Sequence, residues 1–106
     1  MADTATADPW IGKYVIVRCR DAGVHAGILK SRDGDRQCEL TDARRLWYWK
    51  AAGKAAFLSG VANHGLHTDS KVGEPIDIIL TENCEIIACT GAAEASIRAL
   101  PSHQGR

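Results

Sequence analysis

Short runs rich in β-branched and aromatic residues, separated by turn-forming residues, fill the first half of the chain. Residues 13–20 and 24–30 form the first two runs, and an Asp-Ala-Gly turn at 21–23 separates them. A third run at 36–40 follows the Asp-Gly pair at 33–34, which is a strong hairpin signal. This pattern predicts an antiparallel meander of strands.

The meander continues through an aromatic run at 45–49, after the break at Thr41 and Asp42. Gly27 lies inside the second predicted strand, where a missing side chain usually marks a bulge or a bend. A strongly bent second strand is one way in which a small barrel closes. We therefore predict an α+β fold: a small, mainly antiparallel curved sheet or an SH3/Sm-like barrel, with one or two short helices.

Apolar residues change to helical spacing after Lys50, which predicts a short helix over 53–62 that an Asn-His-Gly sequence ends. Residues 64–75 are predicted to form a loop. Residues 76–80 and 84–89 are predicted to form two strands or one long bent strand.

A last helix is predicted over 92–100, with Thr90 as its N-cap and Pro101 after its end. A chain of 106 residues has room for one modest core. We expect a single globular domain at 10–101, between flexible tails at 1–9 and 102–106. Because the core is small, further burial in a homo-oligomer is expected.

No signal peptide and no apolar run long enough to span a bilayer is evident in the sequence, so we expect a cytoplasmic protein with no membrane contact. The four cysteines lie among apolar neighbours without a C-x-x-C pair, and are predicted to be buried free thiols. They are Cys19, Cys38, Cys84 and Cys89.

The formal net charge is zero, with 13 basic and 13 acidic side chains, so nonspecific attraction to DNA or to an acidic membrane is not expected. One part of the chain is nevertheless basic. The window from Ala43 to Thr68 holds no Asp or Glu but contains four cations and two histidines. Any contact with a nucleotide must therefore come from this local patch, although four acidic residues at 33–42 could neutralise part of it.

Within that window, residues 43–50 read Ala-Arg-Arg-Leu-Trp-Tyr-Trp-Lys and hold three of the six aromatic residues of the chain. Flat rings can stack on bases, and guanidinium or ammonium groups neutralise phosphate. If the segment is a strand, alternation places Arg45, Trp47 and Trp49 on one face. The other face then carries Arg44, Leu46, Tyr48 and Lys50. The sequence leaves open which face contacts a ligand and which packs in a core or an interface.

Catalysis is the weaker interpretation, because no recognised motif joins a nucleophile or metal to an activating partner. His64 and His67 lack a third ligand at a diagnostic spacing, and His25 is expected at a surface or an interface. We therefore predict no enzymatic activity, no cofactor and no metal. The loop at 63–71 offers polar groups that could bond a base or ribose, or it could be a plain surface connection.

Five segments together resemble a family of small bacteriophage-encoded proteins of unknown function: 11–18 (IGKYVIVR), 22–27, 31–34, 43–50 (ARRLWYWK) and 85–87. The resemblance runs from about residue 11 to residue 90. Small phage proteins of this size often antagonise host defence, and one group forms oligomeric sponges for the cyclic oligonucleotide signals of bacterial CBASS immunity. The resemblance implies a similar role here, in the cytoplasm of the infected cell.

The leading hypothesis is accordingly a homo-oligomeric protein that sequesters a cyclic dinucleotide or a related signal without turning it over. Three groups of candidate residues follow from the chemistry: Arg44, Arg45, Lys50 and Lys54 for phosphates; Trp47, Tyr48 or Trp49 for stacking; and His25, His64 or His67 for polar selectivity. One alternative is a module that binds single-stranded nucleic acid on the same platform. Another is an inhibitor of a host protein, with Trp47 and Trp49 as anchors.

Overall fold

The structure is a computed structural model, and it describes residues 8–33 and 36–104. Within these ranges the chain is an α+β protein with six strands and two short helices. In chain order they are β1 (Tyr14–Cys19), β2 (Val24–Arg32), β3 (Cys38–Tyr48), α1 (Phe57–His64), β4 (Lys71–Val72), β5 (Ile76–Leu80), β6 (Asn83–Ala88) and α2 (Gly91–Ala99).

The sheet is antiparallel in all its strand pairs, and its first three strands form the predicted meander. β6 pairs with the free side of β1. β4 and β5 both lie on the free side of β3, one beside each half of that long strand. β5 and β6 are joined by only two residues, 81–82, yet they do not pair with each other in the described chain. The sheet is therefore curved and open, and of the two predicted alternatives the barrel is wrong.

Both faces of β1 are buried, which explains its nearly continuous apolar sequence. Tyr14 and Ile16 point toward α1 and α2 and share a core with Leu58, Val61 and Ile97. The alternate residues of β1 point the other way, into a second core that forms where the sheet curls on itself. This second core consists of Val15, Val17, Cys19, Leu29, Cys38, Leu40, Ala43 and Leu80. Each fully buried aliphatic side chain contributes roughly 1.5–3 kcal/mol to folding.

Gly27 is required by the close approach of two strands, in agreement with the predicted bend. The register between β2 and β3 shifts between Ala26 and Ile28. A Cβ atom on Gly27 would lie 2.7 Å from the Cα of Ala43 and 2.9 Å from its Cβ. The missing side chain lets β3 cross β2 tightly at this point.

β3 is one strand of 11 residues, where the sequence predicts two runs separated by Thr41 and Asp42. The break survives as a local irregularity, because Asp42 adopts a positive φ of 54° and the register against β5 shifts there. The amide of Asp42 donates to a carboxylate oxygen of Asp77 at 3.2 Å. Of the predicted hairpin turn before β3, Gly34 and Asp35 lie outside the described residues.

α2 confirms its prediction closely. The hydroxyl oxygen of Thr90 accepts a hydrogen bond from the amide of Ala93 at 3.1 Å, and the helix ends two residues before Pro101. α1 begins at Phe57 rather than at 53 and ends at His64, two residues after the predicted end. The glycine of the Asn-His-Gly sequence, Gly65, is its C-cap, with a φ of 94°. Gly53 instead has a positive φ of 63° in a turn, so the chain cannot be helical there.

The predicted tails are only partly described, since residues 1–7 and 105–106 lie outside the described ranges. Asp8 is paired with Arg32 at 2.5 Å. At the other end, the amide of His103 donates to the carbonyl of Val72 at 2.8 Å. Among the described residues, neither helix is long and apolar enough to span a bilayer.

Candidate functional site

The aromatic and cationic segment forms the second half of β3 and the residues just after it. Arg44 and Leu46 point inward and are buried, while Arg45 and Trp47 point outward and are exposed, so alternation holds over these four residues. It ends at Trp47, because β4 pairs with Leu46 and Tyr48 through consecutive residues and Trp47 is the extra residue of a bulge. Tyr48 does not follow Leu46 into the core.

The bulge leaves two neighbouring rings at the surface. Trp47 is 68% exposed and Tyr48 is 49% exposed. Together with Lys71 they line an open groove with a volume of about 380 Å³, which we call the aromatic groove. The ammonium group of Lys71 lies 5.4 Å from the centre of the Tyr48 ring, within the range of a cation–π contact. A flat ligand would meet aromatic surface and a positive charge in this groove.

His103 completes this surface from the C-terminal segment. Its ring stacks on Trp47 with the centroids 5.3 Å apart and the planes inclined by 21°. The bond from the His103 amide to Val72 fixes the segment against β4. The indole therefore already has one stacked partner, and the geometry shows that its surface accepts a flat ring.

Arg44 is not part of the groove, although its sequence suggested a phosphate contact. It is 4% exposed, and its guanidinium group donates to backbone carbonyls. Nε donates to the carbonyl oxygen of Gly73 at 2.9 Å. Nη1 donates to Ile97 at 3.0 Å and to Leu100 at 2.6 Å. The positive charge thus satisfies the carbonyls at the C-terminus of α2, where the helix dipole also favours a cation.

The remaining aromatic and cationic residues of the segment differ in how far they are exposed to solvent. Trp49 is half-buried and packs against the core below the helices. Arg45 and Lys50 are exposed, and Arg45 extends from the same face of β3 as Trp47. Arg45 and Lys50 are therefore the accessible cations nearest in sequence to the exposed rings.

Lys54 and His64 lie together at a second place. They line an open groove of about 320 Å³ with Ala52, Gly53 and Ala55, between the turn that precedes α1 and the last turn of that helix. The acid-free window of the sequence is thus divided between two grooves. Of these two grooves, only the aromatic groove is lined by exposed Trp and Tyr side chains.

His67 is held within its own loop. Its amide donates to the carbonyl of Lys50 at 2.8 Å, and its Nδ1 accepts from the amide of Asp69 at 3.1 Å. Ser70 bonds the backbone of Lys50 from the same loop, with 3.0 Å between the Lys50 amide and Oγ. The loop at 63–71 therefore supports the end of β3.

His25 is 1% exposed, so the predicted surface or interface position is wrong. Its Nε2 lies 2.9 Å from the carbonyl oxygen of Ala22. Burial lowers the pKa of His25, although the bond to Ala22 opposes that shift. The side chain is a core residue of the sheet and has no route to the groove.

All four cysteines are free, but only Cys19 and Cys38 are buried as predicted. Cys84 is exposed and Cys89 is partly exposed, so the prediction is wrong for Cys84. Burial raises the pKa of Cys38 to about 11 and that of Cys89 to about 12, which keeps both as unreactive thiols. Within 8–33 and 36–104, no group of three or more His, Cys, Asp or Glu side chains is placed to hold a metal ion.

Two residues at this surface, Lys71 in the groove and His103 stacked on Trp47, were not among the residues selected from the sequence. Lys71 belongs to a strand of only two residues, which has no detectable alternation. His103 follows Pro101 in a segment whose composition suggests a tail. Neither position carries a signal in its local sequence. Lys71 reaches the surface beside Trp47 because β4 pairs with β3, and His103 does so because its amide bonds to Val72 of β4.

Comparison with known proteins gives a family and no activity. A family model described as a domain of unknown function (DUF6948) matches residues 12–97. No curated protein and no solved structure matches the chain. The match covers most of the chain, including all six strands, α1, most of α2 and the three residues that line the aromatic groove. The chain belongs to the DUF6948 family.

Proposed function

We propose that this member of the DUF6948 family is a non-catalytic protein that binds a nucleotide by stacking a base in the aromatic groove. The observation that carries the proposal is the exposure of Trp47 and Tyr48 side by side, with Lys71 beside them. Aromatic residues this large normally bury most of their surface. Stacking on one base is worth roughly 1–3 kcal/mol, which such rings can supply.

The groove is also of suitable size and charge. Its volume of about 380 Å³ lies in the usual range for small-ligand sites, roughly 300–1,000 Å³. Lys71 lines it, and Arg45 and Lys50 provide further exposed cations on or just after β3. These three side chains replace the earlier set for phosphate contact, because Arg44 is engaged with backbone carbonyls.

The specific ligand that we propose is a cyclic oligonucleotide signal, sequestered by a phage-encoded sponge of the anti-CBASS type. A cyclic dinucleotide presents two bases and two phosphodiester charges. Two aromatic grooves in a homo-oligomer would match two bases, one per protomer, and sequestration requires tight binding but no reaction. The proposal of phage origin rests on the sequence resemblance alone.

Isothermal titration with a panel of cyclic di- and trinucleotides, mononucleotides and short oligonucleotides tests this proposal. We expect saturable binding of at least one cyclic ligand, and recovery of that ligand intact after the protein is denatured. Recovery of a cleaved product would contradict the absence of catalysis. Failure of every cyclic ligand to bind at micromolar concentration would contradict the sponge function.

The open shape of the aromatic groove also fits a second function, binding of single-stranded nucleic acid. A continuous strand can cross an open groove, whereas an enclosed pocket would exclude it. The two functions differ in their response to salt, because a polynucleotide held through several phosphates weakens steeply as salt is raised. A small ligand in the groove should weaken much less. The same titrations at low and high salt therefore distinguish them.

A further inference from the structure

β5 is an edge strand at the opposite end of β3 from the aromatic groove. It pairs with the first half of β3, from Cys38 to Ala43, whereas the groove lies at the other end. Within the described chain, the outer side of β5 has no backbone partner. Such an edge presents unpaired amide and carbonyl groups to which another extended chain can add.

The apolar side chains of β5 are unusually accessible. Ile78 and Leu80 pack toward the core inside the curl of the sheet. By contrast, Ile76 is 50% exposed and Ile79 is 56% exposed. Natural edge strands are commonly protected by lysine or by a covering element. β5 contains no lysine, and its protection consists of one exposed carboxylate, Asp77, and of Pro75 just before the strand.

The sequence on both sides of this strand carries only negative charge, although Arg20 and Arg36 bond through their backbones to Glu82 and Asn83 just after it. Residues 72–97 contain five acidic side chains and no Lys, Arg or His. Glu85 and Glu94 are paired with Arg18 and Arg98, at 2.6 Å and 2.9 Å. Glu74 and Glu82, which flank β5, are exposed and have no ion pair within the described residues. The strand is therefore an apolar edge with an unpaired carboxylate near each end.

We propose that the β5 edge binds an extended segment of a partner protein that is apolar at alternate positions and carries Lys or Arg at both ends. The added strand would bond the free backbone groups of β5, and its apolar residues, which share one face, would cover Ile76 beside Ile78 and Leu80. Its end cations would pair with Glu74 and Glu82. These carboxylates lie eight positions apart in the sequence, one on each side of the five-residue strand.

A second copy of the same chain fits this edge poorly. Antiparallel pairing of two β5 strands centred on Ile78 places Glu74 of one copy opposite Glu82 of the other. Like charges placed directly across a strand pair are destabilising. In that register β5 does not favour self-pairing, and the present inference does not depend on the homo-oligomer proposed for nucleotide binding.

Two fluorescein-labelled peptides test the charge requirement. One is Lys-Thr-Val-Thr-Val-Thr-Val-Thr-Lys, and the other has Glu at both ends. We expect the Lys-ended peptide to bind the full chain at least about tenfold more tightly in fluorescence anisotropy. In ¹⁵N NMR spectra, the largest changes should fall on the amides of residues 76–80.

The matched variant is the double substitution Glu74→Lys and Glu82→Lys, both at exposed positions outside the strand. It should fold normally by circular dichroism and should reverse the preference in favour of the Glu-ended peptide. The proposal is overturned if both peptides bind the wild type equally, or if neither binds at about 1 mM. It is also overturned if the NMR changes fall elsewhere, or if the β5 amides are already protected in a dimer of the chain.

Discussion

Replacement of Arg44 by methionine should destabilise the fold strongly while leaving the surface unchanged. The substitution keeps most of the apolar stem but removes the donors to the carbonyls of Gly73, Ile97 and Leu100, which lie at 2.9, 3.0 and 2.6 Å. Hydrogen bonds from a charged donor contribute roughly 1.5–3 kcal/mol each, of which part is recovered when the buried charge is removed. We expect a loss of about 3 kcal/mol from a total of about 5–15 kcal/mol.

Urea denaturation followed by circular dichroism measures this loss, with Arg45→Met as the matched control. Arg45 is the neighbouring arginine on the exposed face, so its replacement should change the free energy of unfolding by less than about 0.5 kcal/mol. A loss below about 1 kcal/mol for Arg44→Met would refute the structural role. Reduced nucleotide binding with unchanged stability would show instead that Arg44 contacts phosphate, as its sequence suggested.

Three further outcomes follow from buried and crowded positions. Gly27→Ala should lower the free energy of unfolding by about 1–3 kcal/mol in urea denaturation, because its Cβ would lie 2.7 Å from the backbone of Ala43. Gly91→Ala, at an open position at the start of α2, should leave that free energy unchanged. A thiol reagent such as DTNB should modify Cys84 rapidly in the native protein and leave the buried cysteines unreacted until unfolding; equal rates for all four would contradict the burial pattern. Folding lowers the pKa of His25 below its ordinary value of 6.5, so its contribution to stability is complete above pH 6.5 and is lost as the pH falls through the lower folded value. His25→Gln should therefore reduce the loss of stability at acid pH, measured by thermal melting at a series of pH values. An unchanged pH profile would contradict this.

Local signals in the sequence are sufficient for α2 and for the meander. Thr90 and Pro101 mark the ends of α2 because capping and helix termination depend on neighbouring residues. The glycine at 27 marks the bend in β2 because only a residue without a side chain fits beneath Ala43. These features were predicted correctly, since each one depends on the residue type at its own position.

Features that depend on long-range contacts were not predictable from the pattern. Arg44 and Arg45 are adjacent in sequence, yet one is buried beside α2 and the other is exposed, because β3 alternates between two faces. The bulge at Trp47 exists because β4 pairs with β3, and β4 has only two residues. The choice between a barrel and an open sheet likewise depends on how β5 and β6 diverge after their short connection.

The proposed nucleotide binding depends on the aromatic groove, which would hold the base of a cyclic nucleotide. The most direct test compares Trp47→Ala with Phe57→Ala in thermal-shift titrations, using the cyclic ligand that binds the wild type best. Phe57 is 79% exposed and does not line the groove, so it is a matched control for the loss of an exposed ring. We predict that Trp47→Ala weakens binding by roughly tenfold to a hundredfold and that Phe57→Ala leaves it unchanged. Wild-type affinity in Trp47→Ala, or an equal loss of affinity in both variants, would contradict base stacking in the aromatic groove.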